Sequence, residues 1–163
     1  MASWLLRGAV MSVVMIVARV LLGIVVVEAP LHTTVWKTVA IAVVVLIALI
    51  WGGIDGVRDA RANPDPDDYE DLTVRWLKAG LFAGVTSGFV CWLIGTLWLP
   101  GIGQAGFFIE LIAGASFTAL LIFIPAFVGT AAGRFLMRRD QRKQQRQHDW
   151  SVHDERPAEQ VAH

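Results

Sequence analysis

Apolar positions in this chain gather in four long runs, with neither the spaced stripe of a soluble helix nor the alternation of a half-buried strand. The first run covers residues 8–27 and is broken by Arg19 alone. The second covers about 36–56, and the third about 77–99. The fourth covers 107–133, with Glu110 near its start and Pro125 inside it. At about 1.5 Å per residue, some twenty helical residues cross a hydrocarbon core of roughly 30 Å. A signal peptide competes for the first run, because Arg7 precedes it and Val27-Glu28-Ala29 outlines a cleavage site. A signal core is uncharged and only about 7–15 residues long, so the run reads as an uncleaved span. The second run is rich in Val and Ile, which suits strands. In lipid, however, only helices and closed barrels satisfy the backbone, and the alternation of a barrel is missing. The pattern therefore predicts an all-α polytopic membrane protein, a four-transmembrane-helix bundle running up and down.

The connections differ in character. The second helix is expected to continue through Asp55-Gly-Val-Arg58-Asp-Ala-Arg61, with Asp55 and Arg58, and Arg58 and Arg61, three apart on one face. Asn63-Pro64-Asp65-Pro66 ends it, because a residue before proline is pushed out of helical geometry. Asp67, Asp68, Glu70 and Asp71 then precede the third helix, where carboxylates suit the positive end of the helix dipole. The resulting central loop spans 57–76. A chargeless turn, Pro100 to Gly106, joins the third and fourth runs. Pro125 predicts a kink, since it frees the carbonyl of Leu121. Residues 1–140 form the membrane domain, and 141–163 read as a polar, disordered tail.

Composition agrees: 17% of residues are charged and mean hydropathy is +0.56, against about 25% charged in soluble domains. The net charge of zero conceals an asymmetry. Arg7 precedes the first run, and Arg58, Arg61, Arg75 and Lys78 flank the centre. Arg134, Arg138, Arg139, Arg142, Lys143 and Arg146 follow the fourth run, while the outer turns hold Lys37 alone. The positive-inside rule then places both termini and the central loop on the cytoplasmic side of the membrane. The basic tail either fixes that orientation only or also attracts anionic lipid headgroups, at about 1 kcal/mol per residue. Trp4, Trp36, Trp51, Trp76 and Trp98 fall near run ends, as an aromatic belt would place them. The single cysteine, Cys91, reads as a small buried apolar residue.

Shifting the chain by 72 residues lays Trp4-Leu5 on Trp76-Leu77, Gly8 on Gly80, Leu21 on Leu93 and Gly23 on Gly95. This outlines a parallel two-plus-two repeat, a device found in transporter folds. Gly80, Gly84 and Gly88 recur every four residues, as do Gly52 with Gly56 and Gly129 with Gly133. Small residues at that spacing let membrane helices approach closely. Since all lie towards the same membrane face, the bundle is expected to be pinched there. It should splay at the opposite half, which holds Trp92, Trp98, Phe107 and Phe108.

Ionisable residues within a span are costly and so are functional candidates. Arg19 and Glu110 are the two here. Their depths differ by roughly 6 Å, within reach of an extended arginine. Both are expected to face the interior of the outer half, either as a binding or proton-coupling site or as a structural pair, or else to snorkel separately to the interface. Asp65, Asp67, Asp68 and Glu70 lack the spacing and glycine of a calcium loop and read as a solvated turn. His148, His153 and His163 lie in the tail. No phosphate loop or nucleophile–base spacing is visible, so the sequence predicts no enzyme, metal, cofactor or nucleic-acid partner.

The string Trp51-Gly-Gly-Ile-Asp55-Gly-x-x-Asp59-Ala-Arg61-Ala-Asn-Pro-Asp65-Pro-Asp, followed by Trp76-Leu-x-Ala-Gly80-Leu-Phe-Ala-Gly84-x-x-Ser-Gly88, resembles the small actinobacterial four-helix drug/metabolite transporter-like membrane proteins. The resemblance covers about residues 1–140. It implies a four-helix protein of the bacterial inner membrane and suggests transport. Together with the two ionisable residues, the first reading is a transporter-like protein with an outward-facing cavity around Arg19 and Glu110. The alternative is a non-transporting scaffold or accessory subunit that docks a partner membrane protein through the glycines of helix 3 and the basic tail. A homo-oligomer is compatible with either.

Overall fold

The computed structural model describes residues 3–28, 33–63, 65–97 and 107–160. Helix α1 covers Ser3–Glu28, α2 Thr33–Ala62 and α3 Leu72–Leu97. A single turn, α4 (Phe107–Ile109), passes through a π turn at Glu110–Gly114 into α5 (Ala115–Gln160). Four of these helices are long and apolar enough to cross a membrane, and no strand occurs among the described residues. The all-α four-helix bundle is the fold.

Local chemistry sets the helix ends. Asp71 accepts the Val74 N–H at 3.1 Å and so caps α3. Asp65 accepts the Asp67 N–H at 3.2 Å and opens a 3-10 turn at Pro66–Asp68. The carboxylates ahead of α3 thus act as helix starters, as their position predicts. One boundary differs from expectation. Helix α5 runs to Gln160, through most of the segment expected to be disordered. Its sequence beyond Gly133 is free of glycine and rich in Arg, Gln, Lys and Glu, all good helix formers, and Pro157 falls in its last turn. The helix continues through Pro125, and a π turn at Glu110–Gly114 precedes it.

Helices α2 and α5 share the most extensive interface, α1–α3 and α3–α5 follow, and α1–α2 is slight. The order around the bundle is therefore α1, α3, α5, α2. Gly52 lies on Ala126 and Gly56 on Thr130, so α2 and α5 run parallel. Gly80 lies on Ala119 and Gly84 on Ala115, so α3 and α5 run antiparallel. Gly8 packs on Phe82 and Ala79, and Gly88 is buried. Corresponding helices of the two halves are thus neighbours, α1 beside α3 and α2 beside α5.

The core unites Met11, Met15, Val44, Ala48, Leu72, Trp76, Ala79, Ala83, Ile122 and Ala126. Trp76 has no exposed surface and meets Trp51 edge-on at 6.1 Å. These two tryptophans fill the interior instead of lining a belt, because the small residues of α3 leave space beside them. Trp36 is exposed, and Trp98 lies outside the described residues.

The seam distinguishes two adjacent glycines. A Cβ on Gly52 would sit 2.8 Å from Ala126 Cα, whereas one on Gly53 would meet only Gly129 O at 3.6 Å. Gly52→Ala is expected to lower unfolding stability in detergent by about 1–3 kcal/mol, the usual cost of overpacking. Gly53→Ala should leave it unchanged or raise it. Equal melting of the two variants would contradict the seam.

Candidate functional site

Gly52, Asp55, Gly56 and Asp59 fall at helical spacing on one face of α2, and all four are buried. Since the glycines face α5, the carboxylates turn inward with them. Asp55 does not pair with Arg58, which is exposed. Its Oδ2 accepts from Arg7 Nε of α1 at 2.7 Å, with side-chain exposures of 13% for Arg7 and 4% for Asp55. A second Arg7 nitrogen donates to the Ser3 carbonyl at 2.8 Å, and the guanidinium lies 5.9 Å from the Trp76 ring. The Trp76 indole N–H is buried without a hydrogen-bond partner, as is the Thr118 hydroxyl.

Asp59 is the more connected of the two. Its Oδ2 accepts from Arg134 Nε of α5 at 2.9 Å and from a terminal nitrogen of the same guanidinium. Its Oδ1 accepts from Asn63 Nδ2 and from the Glu70 N–H, each at 3.2 Å. Arg134 also donates to the Glu70 carbonyl at 2.7 Å. Tyr69, the single tyrosine, is flanked by Arg134 at 4.7 Å and Arg138 at 4.9 Å, and Arg138 Nε donates to its hydroxyl at 3.1 Å. Glu70 is paired with Arg75. One carboxylate thus ties α2, the α2–α3 connection and α5 together. Charged partners strengthen each bond. Arg7 and Arg134, assigned by sequence to orientation alone, close the interior of this charged end. The spacing of Asp55 and Asp59 from Gly52 and Gly56 is the signal that marks them as buried.

The residues expected to form a site lie elsewhere. Arg19 is half-buried, on the α1 face that carries buried Ser12 and Met15. Glu110 opens the π turn, and its side chain lies outside the described residues, as does the expected turn at residues 100–106. π turns interrupt α-helices frequently at functional sites.

Beside Arg19, α1 and α2 separate. A cleft of about 590 Å³ lies between residues 13–25 of α1 and 36–47 of α2. Every residue lining it is apolar, and Val17, Leu21, Val39 and Val43 remain exposed at its mouth. It thus opens sideways, at the half of the bundle away from Asp55 and Asp59. The backbone contacts at Gly52, Gly56, Gly129 and Gly133 lie towards the charged end, and the cleft lies towards the other. The glycine face of α3, expected to be available to a docking partner, is covered: Gly80 and Gly84 press on α5.

Fold and site together define a multi-pass, four-helix membrane protein. Comparison with protein-family models and with curated proteins finds no match.

Removing one partner of a buried pair strands the other charge, at about 3–5 kcal/mol. Arg7→Met is expected to lose that much stability in a detergent unfolding titration. The double variant Arg7→Met/Asp55→Leu should recover most of it. Additive losses would show that the two residues do not act as a pair.

Proposed function

We propose that this is a transporter-like protein of the bacterial inner membrane that takes membrane-partitioned apolar compounds into the α1–α2 cleft. The observation that carries the reading is the cleft itself. Its volume of about 590 Å³ falls within the range of small-molecule sites, and its lining is wholly apolar. A compound dissolved in the bilayer enters through the sideways mouth without crossing water. Arg19 on the adjoining face of α1 and Glu110 at the π turn are the ionisable groups that couple binding to release. The resemblance of the Trp51–Asp67 and Trp76–Gly88 strings to the actinobacterial four-helix transporter-like proteins supports the same class. The cationic flanks support an orientation with both termini and the Asp55–Asp59 end in the cytoplasm, so that the cleft lies in the outer half.

Reconstitution tests this. A lipophilic fluorescent dye panel (cationic, anionic and neutral) is titrated against the protein in nanodiscs and followed across proteoliposomes under a proton gradient. Ala40→Phe, which fills the cleft from α2, should weaken binding about tenfold, the equivalent of about 1.4 kcal/mol. Glu110→Gln should abolish gradient-driven accumulation while leaving binding intact. Binding indifferent to Ala40→Phe, or flux no greater than in protein-free vesicles, sinks the proposal.

A further inference from the structure

The α2–α5 seam also has an exposed side. There Gly53, Gly129, Ala132 and Gly133 leave a shallow groove of about 470 Å³, and Arg58 and Arg61 stand at its end. The groove exists because Gly129 and Gly133 bring α5 onto the backbone of α2, and Gly53 and Ala132 beside them carry too little side chain to fill the surface. Along α2 it runs from Leu49 to Arg61, about 18 Å at 1.5 Å per residue. That is close to the depth of one leaflet, half of a roughly 30 Å core. Arg58 and Arg61 sit three apart on one helical face, so their guanidiniums converge. Both are exposed, and among the described residues neither has an acidic partner. The remaining lining is apolar.

An apolar trough one leaflet deep with two cations at its headgroup end matches the shape and charge of an anionic phospholipid. A second copy of the chain fits less well. A two-fold interface opposes a patch to itself, so it would bring four guanidiniums together with no carboxylate in the groove lining to separate them. We propose that the groove is a specific lipid site: Arg58 and Arg61 hold the phosphate of an anionic phospholipid and the glycine trough holds one acyl chain. Arginine suits this role because its planar donors bind phosphate oxygens in pairs. The site is separate from the α1–α2 cleft and from the basic face of α5.

The test uses the full chain in phosphatidylcholine nanodiscs doped with phosphatidylglycerol, with protein-bound lipid quantified by native mass spectrometry. The wild type should retain phosphatidylglycerol selectively. Arg58→Gln/Arg61→Gln should weaken retention about 30-fold, at about fivefold per cation. Gly53→Leu keeps both arginines and enters open space, since a Cβ at Gly53 meets only Gly129 O at 3.6 Å. It should also abolish the selectivity, with unchanged melting. Retention that survives Gly53→Leu, or that soluble glycerol phosphate displaces completely, reduces the site to headgroup electrostatics and overturns the proposal. Crosslinking between copies through Ile54→Cys, lost in Gly53→Leu, makes a second copy the occupant and overturns it equally. The basic face of α5 is common to every variant, so its contribution cancels.

Discussion

The backbone contact between α2 and α5 is the constraint from which the rest of the bundle follows. Lipid tails are as apolar as leucine, so membrane helices gain little by hiding leucine from them. They associate where packing is closest. Gly52 and Gly56 bring α2 onto the backbone of Ala126 and Thr130, and Gly129 and Gly133 return the contact onto Leu49, Gly53 and Val57. At that separation a short aspartate on α2 reaches an arginine on α5 without crossing a layer of side chains. The Asp59–Arg134 pair is therefore a consequence of the seam. With α5 held on α2 by one face and on α3 by another, α1 is left to pack chiefly on α3.

Buried charge at one end of a membrane bundle needs an account, since each ion loses several kcal/mol of hydration. Asp59 recovers it through four donors, including a backbone N–H of the connection to α3. Asp55 has the Arg7 contact, beside the Trp76 ring. The two carboxylates sit one helical turn apart on the same face of α2 and reach in different directions, to α1 and to α5. The glycines set the register of the parallel seam: a shift of α5 by one turn would put Pro125 or Met137 where only glycine fits against Leu49 and Gly53, and a shift that brought Thr130 to the place of Arg134 would also leave Asp59 without its guanidinium. A polar contact that fixes register at some cost in stability is a known use of buried charge.

Much of this was legible in the sequence. The four spans followed from uninterrupted apolarity, and the carboxylate start of α3 from Asp71. The buried status of Asp55 and Asp59 is masked in the sequence because the helix continues past the apolar run, where Asp55 and Arg58 share one face. Glycine periodicity held the correction, since a carboxylate three residues beyond one packed glycine and one before the next shares their face. Trp76 was misassigned for a related reason: its place at a run end suggested the interface, but the side chain follows the small-residue face inward. Arg7 and Arg134 could not be paired from sequence, because the neighbour relations α1–α2 and α2–α5 join residues 48 and 75 positions apart.

The same arrangement bears on how the cleft could change shape. Helix α1 touches α2 slightly, and the Arg7–Asp55 pair joins them at the end opposite the cleft. Any change in the width of the cleft would turn α1 about that end against its packing on α3, as hinge motion at an element terminus does. Motion of α1 would change the cleft width while leaving the α2–α5 seam and the Asp59 network undisturbed. In such a motion Arg19 would travel with α1, whereas Glu110 leads into α5. Opening and closing would therefore alter the separation of the two ionisable groups within the span, which links the apolar volume to charge without placing a charge in the cleft wall.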